Sequence, residues 1–507
     1  MKRNCLFILS ILICTFFLSC SNGDDSTSEN NSKSGNENTA TSTKTSSNVL
    51  FMMYLDGDNN LSDVTWKNLY DAELGLMNLS QNATINVVAL VDGNPNYGQI
   101  YERTGKTCLY KLGALTQEEI AKNLFVGAST IDYSKATSWV YNGSGRGTQE
   151  VDMSSGNTLY NFLNWANTNF SADKKILVFH NHGGGPAIEQ TISQSSETSA
   201  RSICLDDTTG TDAYLKTEDI TNAISRTFGK VDMIIEDVCL EGAIELIYGL
   251  QDVTNYIIAS PNLTSTNSYH YEKIVKAASE GLSVLELGKK IVDYNYEHCK
   301  NMTLRTRTTS ASDSSCMEYS LSLYDCTKKD TLSAIKTHTS ALADKLLAET
   351  DESQIALIKN SLGKLSKNTE SIFYGFFYNG SYFYMQDLGV TAYIFANANV
   401  FSDGIKAAAS DLYNDLAQGG LIAYSWSGGS ENNWYYSADA SYGKADGTTG
   451  DFLRTTVAKG TCPWGISITA GRNNAKINLS NYGTWTSFAG GNSWATLLSQ
   501  WKNYYEK

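Results

Sequence analysis

The sequence predicts an α/β protein: a mainly parallel sheet with helices on both faces, followed by a C-terminal α+β extension. Short runs rich in Ile and Val, such as Thr84-Ile-Asn-Val-Val-Ala-Leu-Val91 and Val231-Asp-Met-Ile-Ile-Glu236, read as strands buried on both faces. Segments of helical spacing separate these runs, and that alternation implies parallel strands joined by crossover helices. Two runs stop at a reactive side chain. Ile176-Leu-Val-Phe-His-Asn-His182-Gly-Gly-Gly185 ends in a His followed by glycines, and Val231-Asp-Met-Ile-Ile-Glu-Asp237-Val-Cys239-Leu240 ends in a Cys. Such sheets carry their chemistry beyond the carboxyl ends of the strands, where a thiol nucleophile and its base would meet.

The elements follow in order. Val49 to Leu55 is a first strand, and Leu61 to Leu79 has helical spacing. Thr84 to Val91 is a second strand, and Gln99 to Glu102 with Thr107 to Leu112 reads as a hairpin around Thr104-Gly105. Thr158 to Asn169 is a helix and Lys175 to Asn181 a strand. Thr217 to Phe228 opens with Thr217-Glu218-Asp219, good chemistry for a helix N-terminus. Val231 to Glu236 is the strand before the Cys, Glu241 to Leu250 a helix and Thr254 to Ser260 a further strand. After Leu304 periodicity weakens. Leu332 to Leu347 reads as a helix, Gly419 to Trp426, Gly465 to Ala470 and Ala475 to Leu479 as strands, and Trp494 to Trp501 as a closing helix.

The organisation is four-part. Lys2, Arg3 and the apolar stretch Cys5 to Leu18 form a signal peptide over residues 1–19, too short to span a bilayer. Phe17-Leu-Ser-Cys20 resembles a bacterial lipoprotein cleavage box, with Cys20 as the lipidated residue. Residues 20–47 are Ser, Asn, Thr and Gly with scattered charge, a flexible tether. Residues 48–304 form the core domain and 305–507 a region packing on it. The expected location is the cell envelope, lipid-anchored or secreted. A net charge of −14 argues against nucleic acid and is compatible with basic peptides. Beyond the leader and Cys20, seven cysteines remain, so an exported chain keeps at least one unpaired thiol, and Cys239 is the candidate. The other six either form three bridges or stay reduced.

At the sheet edge, His182 is the better base than His180, because Gly183-Gly184-Gly185 lets backbone approach a substrate. Backbone N–H groups of Gly183 and Cys239 are candidates for binding a developing oxyanion. His180 reads as a satisfied buried side chain. Asp237 shares a strand face with Cys239, and either pairs with a basic substrate side chain or accepts backbone hydrogen bonds.

His-Gly after one strand and Asp-x-Cys after a later one resemble the clostripain-like cysteine peptidases of the caspase-like clan. Tyr54-Leu-Asp-Gly-Asp-Asn-Asn-Leu61, Leu205-Asp206-Asp207 with Leu215-Lys-Thr217, and Gly465-Ile-Ser-Ile468 with Trp494-Ala-Thr-Leu497 resemble further segments of that family. The resemblance touches most of the chain from Val49 onward. It implies a caspase-like fold, a His182–Cys239 dyad, cleavage after Arg or Lys with Asp237 contacting the basic side chain, and a precursor cut between the His and the Cys. Arg201-Ser202, in the Ser/Thr-rich stretch Gln194 to Ser202, is the expected self-cleavage site, with Lys216 as second choice. The loop Pro261 to Tyr269 departs from the family in carrying no acidic residue, and Glu241 is an unassigned neighbour of Cys239.

No cofactor is expected for the chemistry, and calcium is compatible with the resemblance. Asp56-x-Asp58-x-Asn60-x-Ser62 begins like an EF-hand but lacks its glycine and final Glu. A zinc hydrolase built on His180-x-His182 has no third ligand at motif spacing, and there is no Gly-x-Ser-x-Gly elbow. The non-enzyme alternative is a catalytically inactive surface-binding lipoprotein.

Overall fold

The computed structural model describes residues 45–77, 84–94, 107–113, 150–187, 201–204, 214–262, 269–299, 319–363, 373–378, 381–428, 465–469, 479–484 and 486–505, with positions 79, 206 and 264. Its centre is an eight-stranded sheet. The strands are β1 (Thr45–Gly57), β2 (Ile85–Gly93), β3 (Cys108–Lys111), β4 (Phe170–His180), β7 (Val231–Asp237), β8 (Thr254–Ala259), β9 (Tyr319–Asp325) and β12 (Ile422–Gly428). Their order is β12-β9-β8-β7-β4-β1-β2-β3. The five central strands run parallel, while β3, β9 and β12 pair with their neighbours antiparallel. β1 is flanked by β2 on one side and β4 on the other, so the chain reverses its direction of travel across the sheet there. In open α/β sheets such a switch point opens a crevice at the carboxyl ends of the strands.

Helices cover both faces. Along β4, successive side chains point oppositely. Phe179 meets Tyr54, whose ring meets Phe162 of α2 (Gly156–Asn169). His180 meets Asn68 of α1 (Ser62–Met77). α3 (Thr217–Thr227) packs beside α2, and α5 (Tyr271–Ala278) beside α1; α4 (Ile244–Leu250) and α6 (Val284–Cys299) continue the two layers. β1 is buried from Val49 onward, which accounts for its unbroken apolar run.

A small sheet of β10 (Phe373–Tyr378), β11 (Ser381–Asp387) and β13 (Ser467–Thr469) is joined by α7 (Lys329–Leu347), α8 (Glu352–Gly363), α9 (Leu388–Asn397), α10 (Asp403–Gln418) and α11 (Ser493–Tyr505). This region is stitched to the turn after β7. Ser467 N donates to Gly242 O at 2.8 Å, and the buried Glu245 carboxylate accepts from Thr469 N at 2.8 Å and Tyr482 Oη at 2.7 Å.

The structure adds detail to several expectations. β9 and β12, both beyond residue 304, extend the main sheet. Thr45 to Ser47, assigned to the tether, already pair with Phe170 to Ala172. Thr107 to Leu112 contains β3, which pairs with β2, Val88 opposite Lys111; its expected hairpin partner at 99–102 lies outside the described residues. Ala475 to Asn478 also lie outside them, and Leu479 opens a 3-10 turn. Cys204 and Cys326 are buried and form no disulfide, which removes the three-bridge pattern. Cys20 lies outside the described residues.

Candidate active site

β4 and β7 are neighbours, and their last paired positions are His180 and Asp237. His182 and Cys239 each lie two residues further on, so one register delivers both to the same crevice. Gly183 then rests on the Cys turn: a Cβ there would sit 2.3 Å from Cys239 O and 3.0 Å from Cys239 N. No side chain larger than hydrogen fits, and this is why a glycine follows the imidazole.

The Cys239 thiol is half-buried. Its Sγ lies 3.3 Å from Thr264 N, which donates to it, and 3.5 Å from Thr264 Oγ1. Burial pushes the thiol above its ordinary pKa; the Thr264 contacts oppose this, while Asp237 and Glu241 add to it. The loop after β8 thus supplies a hydrogen-bond donor to the sulfur, although it carries no acid. His182 Nε2 lies 2.7 Å from Asn60 Oδ1. With that amide oxygen as acceptor, the ring proton is assigned to Nε2 and Nδ1 carries the basic lone pair. Desolvation, then the neighbouring His180, lower the imidazole pKa to about 4. Among the described residues no hydrogen bond joins His182 to Cys239. Such contacts often tighten only when substrate binds.

His180 and Asp237 form a buried network on the α1–α5 face. Asp237 Oδ2 lies 3.0 Å from His180 Nδ1 and accepts from Tyr271 Oη at 2.9 Å and Asn68 Nδ2 at 3.4 Å. All three contacts fall on one carboxylate oxygen. Asn68 and Tyr271 come from α1 and α5, and no local sequence signal links them to the strand ends. The same holds for Asn60 and Thr264, whose contacts span 122 and 25 residues.

Arg201 is not in a loop. It opens β5 (Arg201–Ile203), which pairs with β6 (Leu215–Lys216), placing Arg201 directly opposite Lys216. Ile203 also bridges to Gly183. The two candidate cleavage points thus share one ribbon attached to the His turn.

A second polar cluster adjoins the end of β1. Asp58, Glu150 and Asp206 offer ligand atoms within 4.8 Å of one another. Asp56 and Asp92 are fully buried beside them, and Asp92 Oδ2 has no hydrogen-bond partner among the described residues. Burial, then Asp206, raise Asp56 well above the carboxylate range; burial, then Glu150, do the same for Asp92. The EF-hand comparison found Asp56 and Asp58 but not their distant partners.

A thiol after one parallel strand and an imidazole after its neighbour mark a cysteine hydrolase on an α/β sheet. The Clostripain family model matches residues 53–501, and the chain belongs to that family of cysteine peptidases. Clostripain from Hathewaya histolytica is 25% identical over 459 residues, covering 84% of this chain and 81% of that protein. A solved secreted C11 cysteine protease from Bacteroides thetaiotaomicron, iotapain, shares the fold at 14% identity and TM-score 0.50, covering 89% of this chain and 99% of that one. An inactive zymogen C11 protease from Parabacteroides distasonis aligns at 14% identity and TM-score 0.49, covering 85% and 93%.

Proposed function

We propose that the chain is an endopeptidase in which Cys239 and His182 form the catalytic dyad and cleavage follows Arg or Lys. The carrying observation is the β4–β7 register, which ends both strands together and seats Gly183 on Cys239. As Sγ attacks the scissile carbonyl, His182 Nδ1 takes the thiol proton, and the carbonyl electrons move onto oxygen. The N–H groups of Gly183 and Cys239 receive that oxyanion. Collapse expels the amine, which takes the proton from His182. Water, deprotonated by the same nitrogen, then hydrolyses the thioester and frees Sγ. Asn60 holds the Nε2 proton and so keeps Nδ1 available. Asp237 supports the basic preference. Its Oδ2 is fixed by His180, Tyr271 and Asn68, which orients the other oxygen for a guanidinium or ammonium.

Self-cleavage after Arg201 belongs to this reading, as does lipid attachment at Cys20, supported by the leader composition. No helix among the described residues is long and apolar enough to cross a membrane. Calcium fits the acidic cluster: its donors are hard carboxylate oxygens, and Asp92 Oδ2 is buried without a partner among the described residues. Asp58, Glu150 and Asp206 would hold the ion, with Asp56 and Asp92 behind them. Its contribution there is charge neutralisation.

The test is hydrolysis of fluorogenic peptides ending in Arg, Lys, Asp or Leu by the protein and its Cys239→Ala variant. Cleavage after Arg or Lys that disappears in the variant is expected. Cleavage of another peptide would keep the dyad and discard the Asp237 role. Inactivity of both proteins, with the chain cut at Arg201 and calcium supplied, would favour the surface-binding reading.

A further inference from the structure

Glu241 has no role in the reaction as derived, yet it sits between the two halves of the site. It is 1% exposed. Its Oε1 accepts the Gly185 N–H at 3.1 Å and would lie 3.0 Å from a Cβ on Gly183. The backbone around it is unusual. Leu240, between Cys239 and Glu241, has φ +65°, and Gly185 has φ +60°. A Cβ on Gly185 would sit 3.0 Å from Leu240 O, so the two left-handed turns are seated on each other. Left-handed backbone at a non-glycine residue is strained and persists only where surroundings over-determine it. Here the surroundings are Leu240 N donating to Asn262 O at 2.9 Å and Gly242 N to Ser260 O at 2.8 Å. The Cys turn is thus pinned to the end of β8, and from that anchored turn Glu241 reaches across to the glycines after His182.

We propose that Glu241 is a positioning residue. Its carboxyl oxygen locks the Gly183–Gly185 turn onto the Cys239–Leu240 turn, so that imidazole, oxyanion donor and thiol move as one unit. The proposal rests on the dyad reading above. Glu236, one residue before Asp237, stands behind it: it is 1% exposed, with an oxygen that has no hydrogen-bond partner among the described residues. Burial, then Glu241, push the Glu236 carboxyl well above the ordinary carboxylate range. The groups facing Glu241 include Glu236 from β7, Gly183 and Gly185 from the His turn, the Cys239 thiol and the buried Cys204 thiol.

The decisive comparison is Glu241→Gln against Glu241→Met. Gln keeps an acceptor oxygen at nearly the same volume; Met keeps the volume and removes the acceptor. Active sites are first counted by titration with an irreversible thiol-directed peptide inhibitor, and kcat is expressed per titrated site. Structural damage lowers the number of sites; loss of positioning lowers kcat at each. Glu241→Met is expected to lose roughly 100-fold in kcat per site with KM nearly unchanged, the penalty of misplacing a catalytic group by about 1 Å. Glu241→Gln is expected to restore most of that loss. Equal kcat in the Met variant and the parent, or equal loss in the Gln and Met variants, would overturn the proposal. If the Met variant does not fold, Glu241→Asp shortens the reach by one methylene and is expected to lower kcat per site; unchanged kcat would overturn it. Failure of the dyad reading shows separately, as full activity in Cys239→Ala.

Discussion

His182 and Cys239 stand in this structure as two neutral groups, imidazole beside thiol. The reason is burial, which raises the thiol and brings the imidazole down to about 4. The sign for activity follows. In the proposed dyad His182 acts as base while unprotonated, so the acid limb of kcat/KM is expected near pH 4, with activity falling as pH drops through that value. A pH–rate profile with its acid limb at the ordinary His pKa of about 6.5 would contradict this environment. At this scale, residues that end apolar runs were legible: His182, Cys239, Asp237 and the glycines announce themselves by interrupting a strand. Their partners were not. Asn60, Asn68, Thr264 and Tyr271 are ordinary polar residues, and only folding brings them to Asp237, His182 and Cys239.

Among elements, the parallel strands were read well because burial on both faces makes them continuous apolar runs. β9 was missed although Tyr319-Ser-Leu-Ser-Leu-Tyr-Asp325 alternates with period two. All of Ser320 to Tyr324 is buried, and Ser322 Oγ donates to Gly465 O at 2.8 Å, so Ser322 is a core residue with a partner. The β5–β6 ribbon carries a prediction. Lys216 leads directly into α3, whereas Arg201 is the first residue of β5. Arg201→Ala is therefore expected to remain one chain under conditions where the parent separates into two, with Ser202 as the new N-terminus by end sequencing. Lys216→Ala should still be cut. A parent that stays one chain with full activity would remove self-cleavage from the reading.

Over the whole molecule, the buried acids couple stability to pH. Asp56 and Asp92 have folded pKa values above their unfolded ones, so the folded state holds more protons. Their contribution is intact below the unfolded value of about 3.9 and is lost as pH rises through the raised folded values. Metal-stripped protein is thus expected to show a falling Tm as pH rises above the unfolded carboxylate value of about 3.9. Calcium at about 100 times its Kd should return about 2.7 kcal/mol, with a larger gain at higher pH. Asp58→Asn should weaken the response; an identical Tm with and without calcium at every pH would discard the ion.

The strand order has one more implication. Scission after Arg201 would leave β1, β2, β3 and β4 on one polypeptide and β7, β8, β9 and β12 on the other, and these are the two contiguous halves of the sheet. The product would be a heterodimer whose seam is the β4–β7 ladder, with the imidazole contributed from one side and the sulfur from the other. Ile203, bridged to Gly183, would act as a clasp across that seam. Neither half could work alone, and strand pairing itself would become the quaternary interface.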